Sequence, residues 1–309
     1  MFIEQGISKK NVFGKYLIGS VFVFFASALG QVPLIVAIAY EATTNDRKFP
    51  TANDAMMRFL EPNLTLFLLL ISFVFAFYAL ILTIKYIHKQ TLLSVTTARK
   101  KIDWSRVFYS FSVWSIITII STLIYYYAAP GNFIVNFKPI PFLILVIIGS
   151  LLIPIQTSTE EYLFRGYLMQ GFGNLSHNKW FPLLMTSLIF GGMHFFNPEV
   201  TKMGSILLVY YIGTGLFLGI LTLMDEGLEL ALGFHASNNL IGALLVTSDW
   251  TVFQTHSVLK DISEPQAGVD VILPVVVVYP ILLYIFSKKY QWTQWRDKLT
   301  GKIDSRQDQ

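Results

Sequence analysis

The stretch IPFLILVIIGSLLIPIQTSTEEYLFRG, residues 140–166, decides the fold class. It is almost wholly apolar from Ile140 to Ile155 and then runs into Glu160, Glu161 and Arg165 with no glycine to end a helix, while Pro154 predicts a kink. Ionisable side chains joined to an apolar span are costly and mark a functional site by default. On a helix Glu161 and Arg165 lie one turn apart on one face and pair. Glu160 is about 100° away around that helix, with no built-in partner. One carboxylate is therefore structural and the other available for chemistry.

Outward from this stretch, seven more apolar runs follow the same pattern. With it they make eight candidate spans, near 16–40, 64–88, 107–129, 140–155, 180–196, 205–224, 229–247 and 269–287, each close to the roughly 20 residues a bilayer requires. The first run is preceded by Lys9, Lys10 and Lys15 but continues through Tyr40, beyond the roughly 7–15 residues of a signal peptide, so it reads as a retained anchor. The whole composition agrees: 54% of the 309 residues are hydrophobic and 14% charged, with a mean hydropathy of +0.56. A soluble domain carries about 25% charged residues. An ordinary cytosolic enzyme, a disordered chain and a nucleic-acid binder are excluded. The chain has no cysteine, which removes disulfides, zinc–thiolate sites, iron–sulfur clusters and thiol nucleophiles.

The expected fold is therefore all-α, a polytopic membrane protein of about eight transmembrane helices. The net charge of +4 needs no polyanionic partner, because basic residues collect in cytoplasmic loops. Sorting the 23 Lys and Arg residues by alternate loops gives 17 on the side of the termini and 6 on the other (Arg47, Lys48, Arg58, Lys138, Lys202 and Lys260). Both termini are expected in the cytoplasm, in the plasma membrane of the cell. Three regions are expected: helices one to three over 1–135, a catalytic core of helices four to seven over 136–250, and the last helix with its tail over 251–309. The tail from Lys288, rich in Trp, Lys and Arg, suits a short interfacial helix.

Two further polar positions break the apolar runs: His194, inside the fifth, and His235 with Asn239, one turn apart in the seventh. Ser237 and Asn238 beside them suit helix–helix contacts. Runs four and five form a hairpin turning near His177; Glu160 is 17 residues before that turn and His194 is 17 after it, so two helical arms bring them to one height. His235 follows the polar turn Asp225-Glu226-Gly227 on the same side. A carboxylate, two imidazoles and a carboxamide are thus expected in one cavity facing the cytoplasm. A buried carboxylate serves as general base toward water, and imidazole and carboxamide donors hold an oxyanion. Alternatively Glu160, His194 and His235 offer a divalent metal such as zinc two nitrogens and one oxygen, with a position left for water. The His-Glu-x-x-His signature is missing.

Glu160-Glu161-x-x-x-Arg165, Phe190-x-x-x-His194 and His235-x-x-x-Asn239, with the flanking Phe164-Arg165-Gly166 and Phe190-Gly191, resemble the three motifs of the CAAX-protease and bacteriocin-processing family, also called the Rce1-like or ABI family of intramembrane proteases. The resemblance covers roughly 140–247. It implies an all-helical membrane endopeptidase in which Glu160 activates water, His194 and His235 stabilise the oxyanion or hold a metal, Asn239 assists, and Glu161 and Arg165 support the site. It leaves open whether a metal is needed. The substrate it implies is a membrane-associated peptide or protein, lipidated in the eukaryotic branch. Two other functions compete: a catalytically inactive membrane scaffold or immunity protein of the same fold, and a small-solute or proton-coupled transporter. The latter is disfavoured by the lack of repeat symmetry.

Overall fold

The computed structural model describes residues 1–7 and 11–303; Lys9, Lys10 and Arg306, which count toward the charge bias, lie outside them. In chain order the helices are α1 (Phe13–Thr44), α2 (Asn53–Met57), α3 (Pro62–Leu82), α4 (Leu92–Thr96), α5 (Trp104–Ala128), α6 (Pro139–Glu161) and α7 (Met169–Ser176), then α8 (Trp180–Met193), α9 (Pro198–Met203), α10 (Leu207–Asp225), α11 (Glu229–Leu245), α12 (Val269–Leu273), α13 (Tyr279–Tyr290) and α14 (Trp295–Thr300). Local chemistry sets several ends. The Glu61 carboxylate caps α3 through the Leu64 N–H, with Pro62 in the first turn, and Asp103 caps α5 through the Ser105 N–H.

The chain is a multi-pass integral membrane protein, and its described residues are helical but for loops and three very short strands. Among the described residues six helices are long and apolar enough to cross a bilayer, against eight apolar runs in the sequence. The two that fall short carry the second and third motifs. Trp180–Phe196 is a shorter apolar helix, and α11 has 17 residues, interrupted by His235, Ser237, Asn238 and Asn239. The run at 140–155 grows the other way. It continues through Pro154 into a π-helical turn over Tyr162–Leu168 and then α7, a helix of 38 residues from Pro139 to Ser176 and about 57 Å long. π turns inside α-helices concentrate at functional sites, and this one begins at the residue after Glu161.

The hairpin turns at His177, left-handed at φ 52°, where the sequence placed it. Phe164 and Phe190, each 13 residues from that turn, meet edge to face with ring centres 5.5 Å apart, so the register read from the spacing holds. Small residues let the other helices close on this hairpin. Gly215 lies against the Ser187 backbone, Gly219 against Leu183 and Gly233 against the Val107 carbonyl, which assigns the Gly215-x-x-x-Gly219 pair to packing within the bundle.

The loops sort into two sets, each joined by its own contacts. At one end Ala98 N–H donates to the Glu226 carbonyl and Lys179 N–H to the Gly301 carbonyl. There Arg99 pairs with Asp225 and Glu229, both at 3.1 Å, Arg106 pairs with Asp225 and with Asp103, and Trp292 Nε1 donates to Asp225 at 3.1 Å. The tail differs from the expected interfacial helix: α14 docks on the bundle, with Lys298 donating to the Met224 carbonyl at 2.9 Å and Ile303 buried. At the other end Lys202 and Arg58 both face Asp54, and a three-stranded sheet forms in the order β1 (Phe133–Val135), β3 (Leu259–Asp261), β2 (Val246–Thr247). No alternation marks strands this short in the sequence; they exist because the loop after α11 is laid along the approach to α6.

Candidate active site

Glu161 and Arg165 pair one turn apart across the start of the π turn, Nη1 to Oε1 at 2.9 Å, with both side chains fully buried. Arg165 also donates to the Gly215 carbonyl at 3.2 Å and stacks its guanidinium 4.2 Å from the Phe190 ring centre. The same Glu161 oxygen accepts from His235 Nδ1 at 2.7 Å. The buried Glu161–Arg165 pair thus ties α6, α10 and α11 together. Because a carboxylate can only accept, His235 carries its proton on Nδ1 and turns Nε2 toward Glu160, whose Oε2 is 3.5 Å away.

Glu160 is not without a partner, as its position beside the paired Glu161 suggested. Gln156, one turn earlier on the same helix, donates Nε2 to Glu160 Oε1 at 2.6 Å, and Asn239 Nδ2 donates to Gln156 Oε1 at 3.0 Å. Gln156 was missed in the sequence, although the four-residue spacing that pairs Glu161 with Arg165 also finds it. The chain of amides continues through Asn238, which donates to Asn239 Oδ1 at 3.0 Å and accepts from Trp114 Nε1 at 3.1 Å. Ser237 meets Ser115 at 2.8 Å. Both serve as helix–helix contacts, as read. The outcome at Glu160 is asymmetric: Oε1 is fixed, while Oε2 is buried with no hydrogen-bond partner.

His194 stands on the other side of Phe190, whose ring centre lies 4.8 Å from His194 and 5.9 Å from His235. Its Nδ1 donates to the Phe190 carbonyl at 2.7 Å, and its ring lies flat on Tyr211 at 4.2 Å and 21°. Tyr211 is a second neighbour absent from the sequence reading, and nothing in its apolar surroundings signals it. The structure therefore brings together Glu160, Glu161, Arg165, His235 and, through Gln156, Asn239; His194 borders them across one aromatic ring.

The depth of the site follows from Thr159, whose hydroxyl donates to the Phe73 carbonyl at 3.2 Å. Phe73 is near the middle of the Pro62–Ile87 helix, so Glu160 is level with the middle of that helix. As a metal site the donors fit in part. Both histidines spend Nδ1 on an acceptor and leave Nε2, as ligating histidines do. Among the described residues, however, no three His, Asp or Glu side chains gather closely enough to hold a metal ion.

Residues 138–241 match the family model for the type II CAAX prenyl endopeptidase Rce1-like domain. Over 248 residues the chain is 27% identical to the uncharacterized protein YyaK of Bacillus subtilis (strain 168), an alignment covering 80% of this chain and 82% of that one. No solved structure matches it. The seven named positions of the three motifs, Glu160, Glu161, Arg165, Phe190, His194, His235 and Asn239, all fall inside the matched segment, so residues 138–241 of this membrane protein are similar to the Rce1-like family.

Proposed function

We propose that the chain is an intramembrane endopeptidase of the CAAX prenyl protease type, hydrolysing a peptide bond with a water activated by Glu160. The observation that carries this reading is the split environment of Glu160, one oxygen fixed by Gln156 and the other buried without a hydrogen-bond partner, 3.5 Å from His235 Nε2. A buried unsatisfied acceptor costs about 1–3 kcal/mol. A water between Glu160 and His235 relieves that cost and occupies the place a general base requires.

In the proposed cycle Glu160 takes a proton from this water as its oxygen attacks the scissile carbonyl carbon. Asn239 has one amide hydrogen committed to Gln156 and a second to donate to the developing oxyanion, and the free Nε2 of His194 or His235 donates when its ring is protonated. The protonated Glu160 then passes its proton to the departing amine nitrogen as the C–N bond breaks. Glu161 and Arg165 hold His235 in the tautomer that presents Nε2. The donors do not gather for a metal, so no step is routed through one. The proposed substrate is a membrane-associated peptide or protein, in the CAAX class a lipidated one, reaching the site from the cytoplasmic side; the 17 to 6 division of basic residues supports that orientation.

Two measurements test this. Purified full-length protein is given a lipidated C-terminal peptide and an unmodified one. Glu160→Gln is expected to lower turnover by at least about 100-fold, the lower range for a lost general base, with an unchanged melting temperature; unchanged turnover refutes the assignment. The cysteine-free chain also permits clean labelling. Lys100→Cys is expected to react only from the cytoplasm and Lys202→Cys only from outside, and the reverse pattern moves the mouth to the other face.

A further inference from the structure

His194 occupies the least supported position in the site. α8 ends at Met193, residue 194 opens a single 3-10 turn, and Met193, Phe195 and Phe196 are exposed around it, Phe196 at 74%. Helix ends fray, so the backbone alone does not fix this ring. Its support is the Phe190 carbonyl on one edge and the face of Tyr211. Tyr211 is itself held from outside the motifs. Its hydroxyl donates to Glu199 Oε1 at 2.6 Å, Asn197 Nδ2 donates to the same oxygen at 3.0 Å, and the Asn197 N–H donates to the His194 carbonyl at 3.0 Å. Glu199 Oε2 is buried without a hydrogen-bond partner.

A half-buried carboxylate with one oxygen buried and unsatisfied is an expensive way to fold a short loop. It is a reasonable way to immobilise a phenol, because a hydroxyl-to-carboxylate bond is about twice as strong as a neutral one. We propose that Glu199 and Tyr211 are positioning residues, a clamp that holds the His194 imidazole against Phe190 in the orientation the reaction uses. Their role in turnover rests on the peptidase reading; the clamp itself does not. The clamp acts through His194, so its loss lowers kcat and leaves KM nearly alone. A clamp that merely folded the 194–206 loop would lower stability without regard to His194.

The experiment combines kinetics with nitrogen-labelled histidine NMR on the solubilised full chain, the His194 signals being those missing in His194→Ala. Tyr211→Ala is expected to lower kcat by about 100-fold with little change in KM, the scale of an ångström of misplacement. Glu199→Ala is expected to lose about 10-fold, part of that same misplacement. Glu199→Gln, whose amide oxygen still accepts from Tyr211, recovers most of that loss. In a His194→Ala background neither substitution costs anything further, which is the mark of coupled residues. The His194 ring signals shift or broaden in Glu199→Ala and return in Glu199→Gln. Losses that add to that of His194→Ala, or ring signals indifferent to both Glu199 variants, overturn the proposal. A parent protein that cleaves no peptide refutes the peptidase reading instead, and the ring signals still decide the clamp.

Discussion

Two clusters of buried charge stand at different heights in this bundle, and they are finished differently. In the lattice at the end of α10, every carboxylate oxygen of Asp225 and Glu229 has a donor: Arg106 and Trp292 on one Asp225 oxygen and Arg99 on the other, the Asp103 N–H on one Glu229 oxygen and Arg99 on the other. In the cluster around Glu160, Glu160 Oε2, Glu161 Oε2 and Arg165 Nε have no hydrogen-bond partner. Saturation is what a structural network needs, since a half-satisfied one is worse than an apolar core. Open valence where hydrocarbon surrounds the helices is tolerable only if something else fills it. The contrast fits a folding role for the first cluster and supports the chemistry proposed for the second.

The largest effect that breaks or sharpens this division is the loss of turnover without loss of stability in Glu160→Gln. Next comes the ion pair beside it. Glu161→Ala or Arg165→Ala leaves one fully buried charge uncompensated and is expected to cost about 3–5 kcal/mol of stability as well as activity. Replacing both residues together by leucine and methionine is expected to restore much of the stability and none of the activity. Equal melting temperatures for the single variants and the parent would remove the structural role assigned to the pair. A smaller effect is expected at the saturated lattice. Asp225→Asn takes one partner from Arg99 and one from Arg106, which keep Glu229 and Asp103 and are 26% and 18% exposed to water, so the loss is expected near 2 kcal/mol, the range for a hydrogen bond to a charged group, with turnover per folded molecule unchanged. A drop in turnover beyond the drop in folded fraction would couple the two clusters.

What the sequence disclosed follows the range of each interaction. Glu161 with Arg165, the turn at His177 and the equal spacing of Phe164 and Phe190 from it are local or follow from one hairpin, and all were legible. So was Gln156 in principle, one turn from Glu160. The contacts of Arg99 with Asp225 and Glu229 span 126 and 130 residues, and nothing in the turn Asp225-Glu226-Gly227 announces them. The docking of the tail was not legible for a related reason: Trp292 and Lys298 suit a leaflet surface or a groove in the protein equally well, and their bonds to Asp225 and the Met224 carbonyl are visible only in the fold. Tyr211 and Glu199 gave no signal, because a tyrosine in an apolar helix ordinarily means packing. Among the described residues six helices reach spanning length where the sequence offers eight runs, since α8 and α11 lose length or apolar continuity at His194 and His235.

The smallest expected effect compares the histidines themselves. His88, just past the Pro62–Ile87 span, is buried among Asn11, Tyr16 and Tyr167, with Nδ1 3.2 Å from Asn11 Oδ1 and Nε2 2.9 Å from the Tyr167 hydroxyl. Both of its ring nitrogens are hydrogen-bonded, whereas each site histidine has one such bond, and among the described residues no carboxylate pairs with it. Burial, with the Lys15 charge adding to it, pushes its pKa from 6.5 down to about 4. The sign follows from linkage: below pH 6.5 the unfolded chain binds a proton on His88 that the folded chain refuses until about pH 4, so stability falls as pH drops through that window and levels off beneath it. Melting curves of the parent protein from pH 7 to pH 4 should therefore decline more than those of His88→Asn, whose side chain cannot take up a proton. Parallel declines would mean that His88 is protonated in the folded chain, and the contrast between a closed histidine and the two open ones would lose its basis.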